Sequence, residues 1–300
     1  MDAEDLRIVE AVTRNGSMNR AAAELNMVQS NVTARIRVLE EELGVPLFIR
    51  HSRGVEPSEA GLRLLGYAKQ IGSLMREART AVKEDGIPKG RLRIGTTETS
   101  IGVRLPRLAA EYAKKFPQVE MSITTGATTP LIHQVLELQL DGAFVSGPVN
   151  HKNLSEEPIL DEQLVLVGSA SLENLGDLKN IADLKIVVFQ KDCSYRQRLD
   201  SILAEMGIKY QVMEFSSLDA IVSCISAGVG ITLLPAALVD EVFSGRPVVV
   251  HAIPADKSSI QVVFAQRADS YPTSALSSFL EMCRENPSGA PAAEIGTGIG

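Results

Sequence analysis

Five side chains able to hydrogen-bond a base edge or a phosphate fall within nine residues: Gln29, Ser30, Asn31, Thr33 and Arg37, with the small Ala34 among them. Arg50, His51 and Arg53 follow a short way downstream. Amides, hydroxyls and arginines are the groups that read base edges and hold backbone phosphates. Such a surface needs a helix to carry it. Val32, Ile36, Leu39 and Leu43 recur at spacings of four, three and four, which predicts one buried helical face. Ser30, Thr33, Ala34 and Arg37 then lie opposite, with Gln29 and Asn31 flanking the first turn. Gly44 ends this helix. Upstream, Ser17 can cap a shorter helix whose Ala21, Ala22, Ala23 and Leu25 would pack closely on a partner, and Asn26 suits the turn between the two. Two short helices about a tight turn, followed by an arginine-edged hairpin, predict a winged helix-turn-helix with its second helix in the DNA major groove. A solvated face on a small helical bundle has the same spacing, so spacing alone leaves both readings open.

A second group of hydroxyl-rich loops lies further along: Thr96–Ser100, Thr125–Thr129 and Lys191–Arg196. Each precedes a segment that reads as a helix. Leu92–Gly95, Val119–Thr124 and Gly142–Ser146 read as strands, alternating with helices over Leu105–Phe116 and Pro130–Leu140. A second set follows with strands over Lys185–Phe189, Tyr210–Phe215 and Ile231–Leu234, and helices over Tyr195–Met206 and Leu218–Ala227. Strands at Val248–Ala252 and Ile260–Gln266 and a helix at Ser274–Cys283 complete the pattern. Such alternation predicts parallel sheets covered by helices, in two lobes with a cleft between them. Ligands in such sheets lie beyond the carboxyl ends of strands, near helix N-termini that favour anions. Thr97, Thr99, Ser100, Thr128, Ser146, Cys193 and Ser194 are therefore the candidate effector contacts, and a polar or anionic guest is expected. Glu98 argues against a strongly anionic group beside it. Helix capping alone remains the alternative role for any one of these hydroxyls.

Between the two regions Gly61, Leu64, Ala68, Ile71, Met75, Ala78 and Val82 repeat at three-four spacing. That is the pattern of a coiled-coil seam, and it predicts a subunit-pairing linker helix over about 58–86, capped by Ser58. A helix packed on its own domain would also satisfy it. Glu84–Gly90 breaks the helix and forms a hinge. The tail from Asn286 to Gly300 reads as disordered.

Bulk charge does not favour nucleic acid. The net charge is −7, and residues 1–60 hold seven arginines against ten acids. Only from Arg14 to Arg53 does the balance turn, with six arginines and four acids. Affinity for DNA must come from placement and subunit pairing. The three cysteines lack clustered spacing and no signal peptide opens the chain, which fits a reducing cytoplasm. Ala220–Val239 carries no charge, but its serines, glycines and proline suit a buried helix and strand better than a membrane span. The four histidines stand apart, and there is no nucleophile elbow, phosphate loop or CxxC. No enzyme, metal or cofactor is expected.

Gly16-Ser17, Ala21-Ala22, Gln29-Ser30, Val32-Thr33, Ile36-Arg37, Leu43-Gly44, Leu47-Phe48-Ile49-Arg50, Arg53-Gly54 and Ser58-Glu59-Ala60-Gly61 resemble the N-terminal signature of the LysR-type transcriptional regulators. Val28 stands where a serine or threonine is usual, and Pro57-Ser58 replaces the commoner leucine-threonine. Gly228–Pro235 resembles the family's second-lobe glycine motif. The resemblance implies a winged helix-turn-helix (1–60), the linker helix (58–86), and a periplasmic-binding-protein-like effector domain (91–285). Its first lobe would span about 91–165 and 266–285, its second 166–265. It further implies binding to double-stranded promoter DNA, a small-molecule co-inducer and a homo-oligomer, a dimer of dimers. RNA polymerase stays an open partner. Thr99 and Thr128 match positions where the family places effector-contacting hydroxyls. Cys193, ahead of Arg196, matches the reactive position of the family's peroxide sensors, but Ile202 and Leu203 occupy the region of the second cysteine. A free-standing small-molecule binding protein is the alternative from another class, and the first sixty residues argue against it.

Overall fold

The computed structural model describes residues 1–52, 54–99 and 105–285. The chain divides into two compact units, Met1–Asp85 and Gly86–Gly300. The first begins with α1 (Ala3–Asn15), α2 (Met18–Leu25) and α3 (Gln29–Leu43). The antiparallel hairpin β1 (Phe48–His51) and β2 (Gly54–Pro57) follows, then α4 (Glu59–Val82). Ser17 caps α2 by accepting from the Arg20 amide. Asn26 takes the left-handed conformation at φ 54°, and the Met27 amide closes back on Ala22 O at 2.8 Å. Val32, Ile36 and Leu39 are buried with Ile8, Val9, Val12, Ala21, Ala22, Leu47 and Phe48. Two apolar positions depart from expectation. Leu43 is 39 % exposed, because α3's last turn runs past the core, and Ala23 is exposed on α2.

The heptad pattern of α4 divides in two. Gly61 and Ala68 are buried and Leu64 packs on the core of this same unit. A Cβ on Gly61 would sit 2.1 Å from the Leu47 carbonyl oxygen, so this glycine permits α4 to cross the start of the hairpin. The small residues at this end thus serve intrachain packing. Ile71, Met75 and Val82 are 40 %, 38 % and 88 % exposed, and Tyr67 and Leu74 join them. The C-terminal half of the helix therefore carries an uncovered apolar stripe.

In the second unit β3 (Gly90–Thr96), β4 (Val119–Thr125) and β5 (Gly142–Ser146) form a parallel group in the order β5–β3–β4. Helices α5 (Leu105–Lys115), α6 (Thr128–Leu136) and α11 (Ser274–Glu285) accompany them. Alternate residues face opposite ways. Leu92, Ile94, Phe144 and Phe264 enter one core with Tyr112 and Phe279, while Ala143, Val145, Val263 and Ala265 enter another with Leu131 and Val135. The second lobe holds β7 (Lys185–Val188) parallel to β8 (Gln211–Glu214), with β9 (Thr232–Pro235) and β10 (Val248–Ala252) on either edge of β6 (Leu154–Ser169). Helices α7 (Ser194–Glu205), α8 (Leu218–Ser226), α9 (Ala236–Val242) and the short α10 (Ala255–Ser258) complete it.

Long β6 and its antiparallel partner β11 (Ser259–Arg267) join the lobes, paired from Gln163–Ser259 to Leu154–Arg267 with a register shift between Val262 and Val263. The sequence concealed β6, whose first half carries Pro158 and four acids from Glu156 to Glu162. Its presence makes the sheets mixed rather than purely parallel. The return to the first lobe also comes earlier than residue 266: Val262–Ala265 already pair with β5. The helix expected over Pro130–Leu140 starts at Thr128 and ends at Leu136, since Leu138 takes a φ of 61°. The uncharged Ala220–Val239 stretch is split among α8, β9 and α9 by Gly228 at φ 76°. Among the described residues no helix is long and apolar enough to cross a membrane. Asn286–Gly300, expected to be disordered, lies outside the described residues.

Candidate functional site

The first candidate surface is the outward side of α3 and the hairpin. Gln29, Ser30, Asn31, Ala34 and Arg37 are exposed and Thr33 is half-buried, as the apolar spacing of the helix requires. Gln29 Nε2 donates to Thr33 Oγ1 at 3.1 Å, one turn along. Val28 occupies the cap position without a side-chain hydrogen bond, so the first-turn amides of α3 have no side-chain acceptor. Arg37 makes a 3.6 Å ion pair with Glu41 between exposed side chains, which competes weakly with a phosphate. Arg50 is exposed on β1; Arg53 lies outside the described residues.

Of the other arginines in this region, Arg35 is committed to folding. It pairs with Asp2 and Asp5, each at 2.7 Å, and ties α3 to the start of α1. Arg14 is likewise held by Glu24. Arg20 is exposed on α2 and has no ion pair among the described residues. Sequence reasoning passed over Arg20 because α2 was read only for its packing face.

The second candidate site is a cavity of about 270 Å³ between the lobes of the second unit. The strand ends explain its position. β3, β4 and β5 end at Thr96, Thr125 and Ser146, and β7 and β8 end at Val188 and Glu214; Ser146 itself and the residues that follow the other four strands line the cavity. Thr97, Thr99, Thr128, Ser146, Cys193 and Ser194 all reach its wall, so six expected contacts come together. Ser100 lies outside the described residues. The amides opening α6 and α7 have no side-chain cap.

Phe189 and Phe215 also line the cavity and were missed, and Tyr195 joins them from the Lys191–Arg196 loop, where only Cys193 and Ser194 were expected as contacts. The signal for them was the carboxyl-end rule, applied to the hydroxyl loops but not to the aromatic residues following β7 and β8. Tyr195 is buried and bridges the lobes: it accepts from Thr99 Oγ1 at 3.2 Å and donates to Glu162 Oε2 at 2.6 Å. Burial, reinforced by the Glu162 charge, holds its phenol well above the ordinary range, so it stays a donor. Glu98 crosses the cleft in the other direction and accepts from the Leu218 amide at 3.2 Å.

Arg196 pulls the Cys193 thiol down, but burial outweighs it. Its guanidinium turns onto Glu214 Oε2 at 2.5 Å and Phe189 O at 3.3 Å, and burial pushes the Cys193 thiol up. Cys193, Cys224 and Cys283 are all free thiols. Among the described residues no cluster of His, Cys, Asp or Glu could hold a metal ion.

Both units match known sequence families. Residues 3–62 match the bacterial regulatory helix-turn-helix protein, lysR family, and residues 85–288 match the LysR substrate binding domain. The chain belongs to the LysR family of transcriptional regulators. It is 40 % identical over 287 residues to the HTH-type transcriptional regulator GltR of Bacillus subtilis, covering 95 % of this chain and 97 % of that one. It is also 40 % identical over 286 residues to the regulator YofA of the same organism, covering 95 % and 99 %. The fold resembles full-length CbnR in complex with its target DNA, with a TM-score of 0.67 at 20 % identity over 96 % of this chain and 100 % of that chain. As a LysR-family member the protein is a regulator with a DNA-binding helix-turn-helix and an effector-binding domain, not an enzyme.

Proposed function

We propose that this regulator binds double-stranded promoter DNA as a homo-oligomer and changes its activity when a small molecule occupies the cleft of its second unit. The observation that carries the reading is the presence of an exposed, hydrogen-bonding α3 face in one unit and a half-open, hydroxyl-lined cavity in the other. Gln29, Ser30, Asn31, Thr33 and Ala34 face the bases, and Arg37, Arg50 and Arg53 contact phosphate. Arg20 adds a backbone contact from α2. Thr97, Thr99, Ser100, Thr128, Ser146, Cys193 and Ser194 surround the effector. The uncovered stripe from Tyr67 to Val82 supports subunit pairing through the C-terminal half of α4, and a dimer of dimers agrees with the family. Action on promoters places the protein in the cytoplasm, where RNA polymerase is available to it. Selection of duplexes from a random-sequence pool by the full chain tests the DNA reading. A two-fold symmetric motif should be enriched; recovery without any motif would overturn sequence-specific binding.

A further inference from the structure

The cavity wall, among the described residues, is charged in one sense only. Among the described residues its charged members are Glu98 and Asp192, and no lysine, arginine or histidine joins them. Glu98 Oε2 accepts from the Leu218 amide, serving the start of α8 where Ser217 provides no side-chain cap. Among the described residues its second oxygen makes no hydrogen bond, and Asp192 makes neither a hydrogen bond nor an ion pair. Arg196, next to this loop, is already engaged by Glu214 and the Phe189 carbonyl. Partly buried carboxylates facing a half-open cleft favour a cation there. The rings of Phe189, Tyr195 and Phe215 in the same wall add faces that attract a cation. The opposite polarity is present too: α6 and α7 open on the cavity with uncapped amides, beside the hydroxyls of Thr128 and Ser194.

We infer that the effector carries an ammonium group and that Glu98 and Asp192 determine this specificity. The ammonium lies against the two carboxylates and an anionic group lies toward the starts of α6 and α7. An amino acid, or a zwitterion of similar size, meets both demands. A dicarboxylate would bring like charge onto Glu98, whose carboxylate already occupies the start of α8. This assignment rests on the cavity being the effector site.

Matched compounds test it on the full chain. Thermal unfolding and calorimetry would compare each proteinogenic amino acid with the acid that lacks its amino group, alongside aliphatic dicarboxylates. Binding should be confined to ammonium-bearing compounds, with the deaminated partner weaker by about tenfold or more. Glu98→Gln keeps an acceptor for the Leu218 amide, and Asp192→Asn keeps the shape of the loop. Each should weaken the amino acid and narrow its advantage over the deaminated acid, with unfolding in the absence of ligand unchanged. No response to any amino acid, or equal binding of the deaminated acids, overturns the inference. An anion-only binder weakened by Thr128→Val would overturn the ammonium assignment while leaving the cavity reading intact. A binder indifferent to Thr128→Val, Glu98→Gln and Asp192→Asn would remove both.

Discussion

At the residue scale, the α3 face is the clearest example of chemistry visible in sequence. Buried Val32, Ile36 and Leu39 fix the helix rotation, so the exposure of Ser30, Ala34 and Arg37 follows from their numbers alone. What sequence could not resolve was which arginines are spent on folding. Arg35 satisfies the same local count as Arg37, yet its partners Asp2 and Asp5 lie thirty residues away. Arg37→Ala or Arg50→Ala should therefore weaken binding to specific and random duplexes alike, and each should reduce the slope of log affinity against log salt by about 0.9. Ser30→Ala or Thr33→Ala should instead change the preferred sequence. Unchanged salt slopes for both arginine variants would place the phosphates elsewhere. A second expectation at this scale concerns pH. Burial pushes the Cys283 thiol on α11 up to about 12, and Cys193, Tyr112, Tyr195 and Tyr210 are raised as well. A raised folded value keeps its stabilising contribution below the unfolded pKa and loses it as pH climbs toward the folded one. Urea unfolding should thus show falling stability from about pH 9 upward, and Cys283→Ala should flatten that fall. Equal pH dependence in the variant would show that Cys283 contributes nothing to it.

At the element scale, segments with a single strong period were legible, and those whose pattern depends on a distant neighbour were not. β5 and β10 match their expected ranges because their apolar runs are bounded by glycine, proline or charge. β6 escaped because its acidic first half is supported by β11 from roughly a hundred residues away, a pairing no local window contains. In α4 the three-four spacing was real, but one pattern served two partners. Gly61 and Ala68 face the chain's own core, whereas Ile71 and Met75 stay partly and Val82 almost wholly exposed in the single chain. Pairing should accordingly centre on the C-terminal half of the helix. Ile71→Asp would place an unpaired charge in that contact at a cost of several kcal/mol, while Ile71 is exposed enough in one chain for the unit to fold. Light scattering should show a smaller assembly, and operator binding should fall with it. Normal mass in the Ile71→Asp protein would transfer subunit pairing to another surface.

At the scale of the whole molecule, the two units have separate cores, and none of the residues burying α1–α3 recurs in the four clusters of the second unit. The α3 face and the cavity therefore rest on separate cores, and communication between them requires an effector that binds two arrangements of the protein unequally. Six of the expected cavity contacts were legible because they follow parallel strands; the aromatic wall and the Tyr195 bridge needed the lobes brought face to face. That organisation separates ligand affinity from DNA affinity. Thr99 and Thr128 come from loops after β3 and β4, far in sequence from α3, and valine keeps their shape while removing the hydroxyl. Thr99→Val with Thr128→Val should cost about 1–3 kcal/mol of effector affinity for each hydrogen bond lost, roughly tenfold to a hundredfold. Operator affinity without effector should stay at the level of the unmodified protein, because the ligand shifts a population rather than building the DNA surface. Titrating effector into the preformed operator complex, followed by fluorescence anisotropy, separates the two quantities. A double variant that answers at the original concentration would remove these loops from the site; one that loses operator binding in the absence of effector would show that the threonines support the fold instead.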